Sequence, residues 1–152
     1  MPRESTEDHL KDTLRRLEII KAHLDTHPRS GRLAGKVAIV TGVGSLTGIG
    51  RATVKHFAHE GAKHIYALDY DDTNLEELKT TIEGQYTDVK LTVKQCDAAD
   101  EQAISDIVDL ALKEHDRLDI FFANAAVVGS PIPIWNADME DLSETMRVNV
   151  SR

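Results

Sequence analysis

A glycine-rich segment at residues 42–50 has the composition of an anion-binding turn. Gly42, Gly48 and Gly50 lie between a short apolar run at residues 36–41 and the start of an amphipathic segment. A glycine directly after a strand lets the chain turn tightly, and residues without side chains let a phosphate approach the backbone. The N–H groups at the start of a helix then bind the phosphate, helped by the helix dipole. The strand–turn–helix context therefore predicts a site for a dinucleotide pyrophosphate.

An acidic side chain follows at the distance that such a site requires. Asp69 ends the next predicted strand, 19 residues after Gly50. A carboxylate there can accept hydrogen bonds from the hydroxyls of an adenosine ribose. Asp71 and Asp72 follow without a nearby Arg or Lys, so a 2′-phosphate would be repelled. The pattern favours NAD over NADP; the alternative is an acidic strand-end turn that binds no ligand.

Strand and helix patterns alternate from residue 36 onward, and these elements must position the turn and the carboxylate. Strands are predicted at residues 36–41, 64–68, 89–95 and 118–123, and helices at 49–60, 71–83, 101–116 and from about 138 to the end. Repeated βαβ units give a parallel sheet with helices on both faces. We therefore predict an α/β, three-layer, Rossmann-like doubly wound fold.

Residues 1–34 differ from the rest and are predicted to form a helical extension and linker. Leu10, Leu14, Leu17, Ile20 and Leu24 recur on one face of an amphipathic helix over residues 6–26. This helix either packs on its own domain or docks a partner. Seven basic and six acidic residues precede position 35, whereas eleven basic and twenty acidic residues follow. This shift predicts a dinucleotide-binding domain at residues 35–152.

Composition excludes several classes of function. The net charge of −8 argues against nucleic-acid binding, and the sequence has no apolar stretch near the roughly 20 residues of a membrane span. The polar N-terminus resembles no targeting peptide, and Cys96 has no second cysteine to pair with, so we expect a soluble, cytoplasmic, reduced protein. His23 with His27, and His56 with His59, have helical spacing but no evident third ligand, so no metal site is predicted.

Segments in a fixed order resemble the short-chain dehydrogenase/reductase family over residues 36–149. They are TGVGSLTGIG at 41–50, Asp69, Asp97 after the third predicted strand, LDIFFANAA at 118–126 and MRVNV at 146–150. Five residues separate Gly42 from Gly48, where the main group of the family has three. This longer turn is similar to that of the divergent, enoyl-reductase-like branch, and Ala123 and Ala126 depart from the family's Asn and Gly.

The resemblance implies roles for individual residues. It implies that Asp97 bonds the adenine amino group, that Asn124 lies beside the cofactor ribose and that Asn149 is the catalytic-helix asparagine. The implied cofactor-binding set is Gly42, Ser45, Gly48, Ile49, Gly50, Asp69, Asp97, Ala98 and Asn124.

The resemblance further implies an NAD-dependent oxidoreductase that moves hydride between the nicotinamide and an alcohol or carbonyl. The family's sheet order gives this chain an incomplete 3-2-1-4 sheet. The chain ends before the family's Ser and Tyr-x-x-x-Lys, which predicts the N-terminal part of a longer dehydrogenase. The alternative is an inactive cofactor-binding or interaction protein that docks on a full-length subunit; a homo-oligomer is a further expectation.

A Tyr-x-x-x-Lys string does occur at residues 86–90, but its context is not helical. It follows Gly84 and runs into the third predicted strand, where residues four apart are not neighbours on one face of a helix. We therefore interpret it as a coincidence.

Overall fold

A four-stranded parallel sheet is built from residues 37–122, and its strands alternate with helices along the chain. The computed structural model describes residues 6–26, 28–129, 134–136 and 138–150. The strands are β1 Val37–Thr41, β2 His64–Asp69, β3 Lys90–Gln95 and β4 Ile120–Phe122; the helices are α1 Thr6–Thr26, α2 Ile49–His59, α3 Leu75–Gln85, α4 Glu101–His115 and α5 Met139–Asn149, with a 3-10 turn at Ile134–Asn136. The sheet order is β3-β2-β1-β4. The predicted 3-2-1-4 order and α/β class are confirmed.

Strand β1 lies inside the sheet and fixes the register of its neighbours. Val37 pairs with His64 of β2, and Ala38 pairs with both Ile65 of β2 and Ile120 of β4. All five residues of β1 are buried. A parallel strand with helices over both faces is expected to be apolar on both sides, which explains the unbroken run VAIV.

Side chains that alternate along the strands pack against helices on opposite faces. On one face, Val40, Ile65 and Leu91 pack with α2 and α3. On the other face, Val37, Ile39, Tyr66 and Leu68 pack with Ile107 and Ala111 of α4. Because both faces of β1 and β2 are covered, the ends of these strands are where the centre of the sheet presents polar groups.

The prediction for α3 was wrong at both ends. The helix begins at Leu75 rather than at residue 71, because the Asp71 carboxylate accepts hydrogen bonds from the Thr73 backbone N–H at 2.9 Å and from its hydroxyl. Side-chain bonds of this kind favour a turn over a helix. The helix also continues through Gly84 to Gln85, since a glycine near a helix end is tolerated at a modest cost.

The described residues up to Ser30 form one compact unit, and those from Gly31 form another. In the first unit, Leu10, Leu14, Leu17 and Ile20 of α1 are each more than half exposed. The structure does not describe the side chain of Leu24. Within the described residues, no helix combines the length and the apolar character that crossing a bilayer requires.

A polar cluster lies at the amino end of β2, inside the α4 side of the sheet. The fully buried His64 ring stacks on Tyr66, with ring centroids 4.2 Å apart. Its Nε2 is 2.8 Å from Thr92 Oγ1, and its Nδ1 is 2.6 Å from His115 Nε2. The Tyr66 hydroxyl donates to Glu114 Oε2 at 2.9 Å. Sequence spacing gave no sign of this cluster, because its members come from three different elements.

The cluster holds an uncharged histidine inside the protein. Burial, with a further contribution from the nearby Lys90 ammonium, lowers the pKa of His64 to about 4. An unfolded histidine titrates near 6.5, so the unfolded chain binds more protons than the folded chain between these values. Stability is therefore complete above about pH 6.5 and is lost as the pH falls toward 4.

We predict that the free energy of unfolding decreases by about 2 kcal/mol between pH 7.5 and pH 5 because of His64. The measurement is urea denaturation in metal-free buffer across this range. His64→Gln should flatten the pH dependence by that amount, whatever its effect on absolute stability. His56→Gln, which removes an exposed histidine, is the control and should keep the wild-type slope. A His64→Gln slope equal to that of wild type would contradict the prediction.

Candidate functional site

A cavity of about 400 Å³ lies at the carboxyl end of the sheet. Its lining comes from the segments that follow the four strands and from α5: Gly42, Leu68, Asp69, Tyr70, Cys96, Asp97, Ala98, Ala125, Ala126, Val127, Glu144, Arg147 and Val148. Strands β2 and β3 lie to one side of β1 and β4 lies to the other, so the connection from β1 to β2 and the connection from β3 to β4 run in opposite directions along the sheet. In open α/β sheets, this crevice is where ligands bind.

The glycine-rich turn brings α2 unusually close to the end of β1. Gly42 has a φ of +74°, a left-handed conformation that favours glycine. A Cβ at Gly50 would lie 2.2 Å from the Gly42 carbonyl oxygen and 2.7 Å from Asn124 Nδ2. Position 50 therefore requires a glycine for the first turn of α2 to pack on the strand end.

The start of α2 differs from the starts of α4 and α5. Asp100 and Asp138 each cap their helix by accepting a backbone hydrogen bond, at Ala103 and Asp141. The cap of α2 is Gly48, to which no described side chain contributes a capping bond, and its first turn contains no acidic residue. Its N–H groups are therefore available to an anion at the positive end of the helix dipole.

Asp69 fixes the path of the long turn. Its Oδ2 accepts a hydrogen bond from the Gly44 N–H at 2.7 Å, and its Oδ1 accepts one from the Asp71 N–H at 3.0 Å. Asn74 Nδ2 donates to the Gly44 carbonyl oxygen at 3.0 Å, which anchors the same residue from α3. A carboxylate has about four acceptor positions, so Asp69 retains capacity for ribose hydroxyls. Asn74 was missed, because no local pattern links it to the turn.

Asn124 joins the ends of β1 and β4 below the cavity. Its Nδ2 donates to the carbonyl oxygens of Thr41 and Gly42, each at 3.0 Å. In return, Thr41 Oγ1 accepts from the backbone N–H groups of Asn124 at 3.0 Å and Ala125 at 2.9 Å. Thr41 was not among the predicted site residues, although it opens the TGVGSLTGIG segment that predicted the turn.

Asp97 lies in the cavity, where it is paired with a residue that the sequence did not indicate. Its Oδ2 accepts from Arg147 Nη2 of α5 at 3.0 Å, and its Oδ1 accepts from the Ala99 N–H at 2.9 Å. Arg147 also bonds Glu144, which lowers the pKa of that carboxyl. The i,i+3 spacing of Glu144 and Arg147 could predict the ion pair between these two residues. It could not predict the contact of Arg147 with Asp97, which lies 50 positions earlier in the chain.

Asn149 holds the segment that follows β4. Its Oδ1 accepts from the Val127 N–H at 3.0 Å, and its Nδ2 donates to the Val127 carbonyl oxygen at 2.9 Å. The carbonyl and the NH₂ of the Asn149 side chain thus both bond the backbone of Val127, which lines the cavity. The Asn149 amide therefore holds the Val127 backbone in place at the cavity wall.

The structure brings the predicted site residues to one end of the sheet, in different positions. Those that line the cavity are Gly42, Asp69, Asp97 and Ala98. Ser45, Gly48, Ile49 and Gly50 lie in the turn and at the start of α2, where the Ile49 side chain is 72% exposed. The buried Cys96 thiol also lines the cavity, and burial raises the pKa of that thiol, which disfavours a nucleophilic role.

Tyr86 is not among the residues that line the cavity. It caps the C-terminus of α3, and Lys90 begins β3, so the string at residues 86–90 is not helical. The Tyr86 side chain packs with the α2–α3 side of the core, and its hydroxyl is 3.4 Å from His59 Nδ1. The interpretation of this string as a coincidence agrees with its position.

The structure describes neither His27 nor the side chain of His23.

The sequence matches the family described as short chain dehydrogenase over residues 36–151. It is 38% identical over 124 residues to short chain aldehyde dehydrogenase 1 of Euphorbia lathyris, covering 81% of this chain and 41% of that protein. NAD⁺-bound xylitol dehydrogenase superimposes with a TM-score of 0.68 at 29% identity, covering 79% of this chain and 44% of the other. L-sorbose reductase from Gluconobacter frateurii, complexed with NADPH and L-sorbose, gives 0.68 at 29% identity, covering 78% and 43%.

The chain belongs to the short-chain dehydrogenase/reductase family. It spans less than half the length of the relatives just named. The two solved structures hold different nicotinamide dinucleotides, NAD⁺ in one and NADPH in the other. Membership of the family therefore establishes the Rossmann-like fold of a family that binds nicotinamide dinucleotides, and it does not distinguish NAD from NADP.

We predict that Gly50→Ala destabilises the protein by about 1–3 kcal/mol, because the added Cβ would clash with the Gly42 carbonyl group. Urea denaturation followed by circular dichroism measures this change. Gly84→Ala is the matched control, since a Cβ there meets nothing within 4 Å, and it should stabilise α3 slightly. Equal effects of the two substitutions would show that α2 does not need the close approach.

Proposed function

We propose that this chain binds NAD(H) and is the cofactor-binding part of an oxidoreductase that transfers hydride between the nicotinamide and an alcohol or carbonyl. The observation that carries the choice of NAD is the Asp69 carboxylate, which lines the cavity and is fixed by the Gly44 N–H at 2.7 Å. Residues 69–78 contain no Lys or Arg. An additional 2′-phosphate would approach this carboxylate without a neighbouring positive charge in the same segment.

The residues present fit the parts of a dinucleotide. The pyrophosphate would lie against the start of α2, where glycines leave the backbone accessible and the N–H groups lack a side-chain cap. Asp69 would accept the ribose hydroxyls, and the segment with Asp97 and Ala98 would contact the adenine. Each of Asp69 and Asp97 already holds backbone N–H groups, so its carboxylate is oriented before the cofactor arrives.

The cavity also contains a cation, and its charge is balanced locally. Arg147 is hydrogen-bonded to both Asp97 and Glu144, so two carboxylates oppose one guanidinium. Arg147 is therefore a poor partner for a 2′-phosphate, because binding one would break hydrogen bonds to existing anions. The pairing of Arg147 with Asp97 and Glu144 therefore supports a preference for NAD over NADP.

NAD, when bound, supplies the carbon that accepts hydride in an oxidation. For this chain's own residues we propose positioning roles: Asn149 holds Val127 at the cavity wall, and Asn124 holds the ends of β1 and β4 together. The substrate class rests on the relatives, whose names describe enzymes of alcohols, aldehydes and ketoses.

We predict that the protein binds NAD⁺ at least tenfold more tightly than NADP⁺ in isothermal titration calorimetry at fixed ionic strength. Asp69→Ala should weaken NAD⁺ binding by about tenfold, since hydrogen bonds to a charged group contribute about 1.5–3 kcal/mol, and should leave NADP⁺ binding unchanged or improved. Binding should survive in this variant, because Asn74 still anchors Gly44 and the start of α2 still offers its N–H groups to the pyrophosphate.

Asp72→Ala is the matched control, because Asp72 is an exposed carboxylate three residues away. This variant should retain the wild-type preference, which would separate a specific contact from the general effect of negative charge. Equal affinity for the two cofactors in the wild-type protein, or tighter binding of NADP⁺, would remove Asp69 from its proposed role.

A further inference from the structure

Three side chains at the amino end of the sheet bring potential metal-ligand atoms close together. The atoms are His64 Nδ1, His115 Nε2 and Glu114 Oε2, and they all lie within 4.8 Å of one another. The two nitrogens are 2.6 Å apart, and the carboxylate oxygen is 3.8 Å from His64 Nδ1 and 3.7 Å from His115 Nε2. This cluster begins β2 and ends α4, at the opposite end of the strands from the cofactor cavity.

These distances match the size of a transition-metal site. The point equidistant from the two imidazole nitrogens and the carboxylate oxygen lies about 2.0 Å from each of these atoms. This distance is close to Zn–N and Zn–O bond lengths of about 2.0–2.2 Å. Tetrahedral coordination at such bond lengths separates ligand atoms by about 3.3 Å, near the average of the three distances. A shift of a few tenths of an ångström in each of the three side chains would therefore suffice.

Neighbouring groups hold the ligands in a suitable state. Thr92 Oγ1 lies 2.8 Å from His64 Nε2, so His64 can donate its proton there and keep the Nδ1 lone pair for a cation. The Tyr66 hydroxyl donates to Glu114 Oε2 at 2.9 Å, which orients the carboxylate and leaves it further acceptor positions. Such supporting hydrogen bonds are a general property of metal ligands.

The contact between the two histidines depends on a single proton. Two imidazole nitrogens 2.6 Å apart require a proton on one of them. When His64 Nε2 donates to Thr92, that proton belongs to His115 Nε2. A bound cation would take the place of this proton, with His115 in the tautomer protonated at Nδ1.

The site has access to solvent and a mixed electrostatic environment. The Glu114 side chain is 38% exposed, which leaves room for a water as a further ligand. Lys90 Nζ lies 3.9 Å from Glu114 Oε2 and would have to move away from an incoming cation. With one carboxylate and two lysines nearby, Lys63 and Lys90, the site favours an ion that binds strongly to imidazole, rather than Mg²⁺ or Ca²⁺, which prefer oxygen ligands.

We propose that His64, Glu114 and His115 form a binding site for a divalent transition-metal cation, with Zn²⁺ as the ion whose ligand preferences fit best. The ion would tie the end of α4 to the start of β2. The proposal is independent of the cofactor cavity, since none of the three ligands lines that cavity.

The test is a titration of the full chain with Zn²⁺ at pH 7.5, measured by competition with a chromophoric chelator. We expect saturable binding of one Zn²⁺ at this site, with Mg²⁺ unable to displace it. His115→Gln and Glu114→Gln should each weaken binding at least tenfold. Thr92→Val should weaken it by about 10–100-fold, as expected when a hydrogen bond to a metal ligand is lost.

His56→Gln is the matched control, because His56 is an exposed histidine on another helix and this variant should bind Zn²⁺ as the wild type does. Imidazole nitrogen NMR of the wild-type protein keeps the test valid if a variant fails to fold: Zn²⁺ should shift the resonances of His64 Nδ1 and His115 Nε2. Unshifted resonances, or binding that is unchanged in both His115→Gln and Glu114→Gln, would overturn the proposal.

Discussion

The contact between Gly50 and the Gly42 carbonyl group is the constraint on which the rest of the site depends. A Cβ at position 50 would lie 2.2 Å from that oxygen, so the helix can approach the strand this closely only without a side chain. This approach places the uncapped start of α2 over the end of β1. Asn124 Nδ2 donates to the same Gly42 carbonyl oxygen at 3.0 Å, which ties the segment after β4 to the end of β1. Helix, strand and the segment after β4 thus share one small contact region.

The two ends of the parallel sheet carry different chemistry for a common physical reason. Helices cover both faces of β1 and β2, so polar groups collect where these strands begin and end. At the carboxyl end, the segments after the strands contribute carboxylates and backbone N–H groups around a cavity. At the amino end, the starts of β2 and β3 meet the end of α4, which brings His64, Thr92 and His115 together. The first arrangement suits a nucleotide, and the second suits a small cation.

Local patterns predicted the order and type of the elements, whereas side-chain contacts between distant residues were beyond them. The spacing of the glycines and Asp69 along the chain was enough to predict a dinucleotide site. The βαβ alternation predicted a parallel sheet, and the family resemblance predicted the order of its strands. The start of α3 was misplaced because Asp71 and Thr73 form a local turn that competes with the helix. Arg147 on Asp97, and His115 on His64, join residues about 50 positions apart, and neither pair has a periodic signature.

The proposed preference for NAD requires an acidic cavity to hold an anionic cofactor and still discriminate between two such cofactors. Asp69, Asp97 and Glu144 line the cavity with negative charge, and Arg147 offsets part of it. The pyrophosphate therefore depends on the positive end of α2, where neither a capping side chain nor an acidic residue competes for the N–H groups. The Asp69 carboxylate, in contrast, accepts a hydrogen bond from the Gly44 N–H, and no Lys or Arg lies in residues 69–78 to offset its charge. A third phosphate at the ribose would meet the uncompensated carboxylate, so attraction and rejection act on different parts of the same ligand.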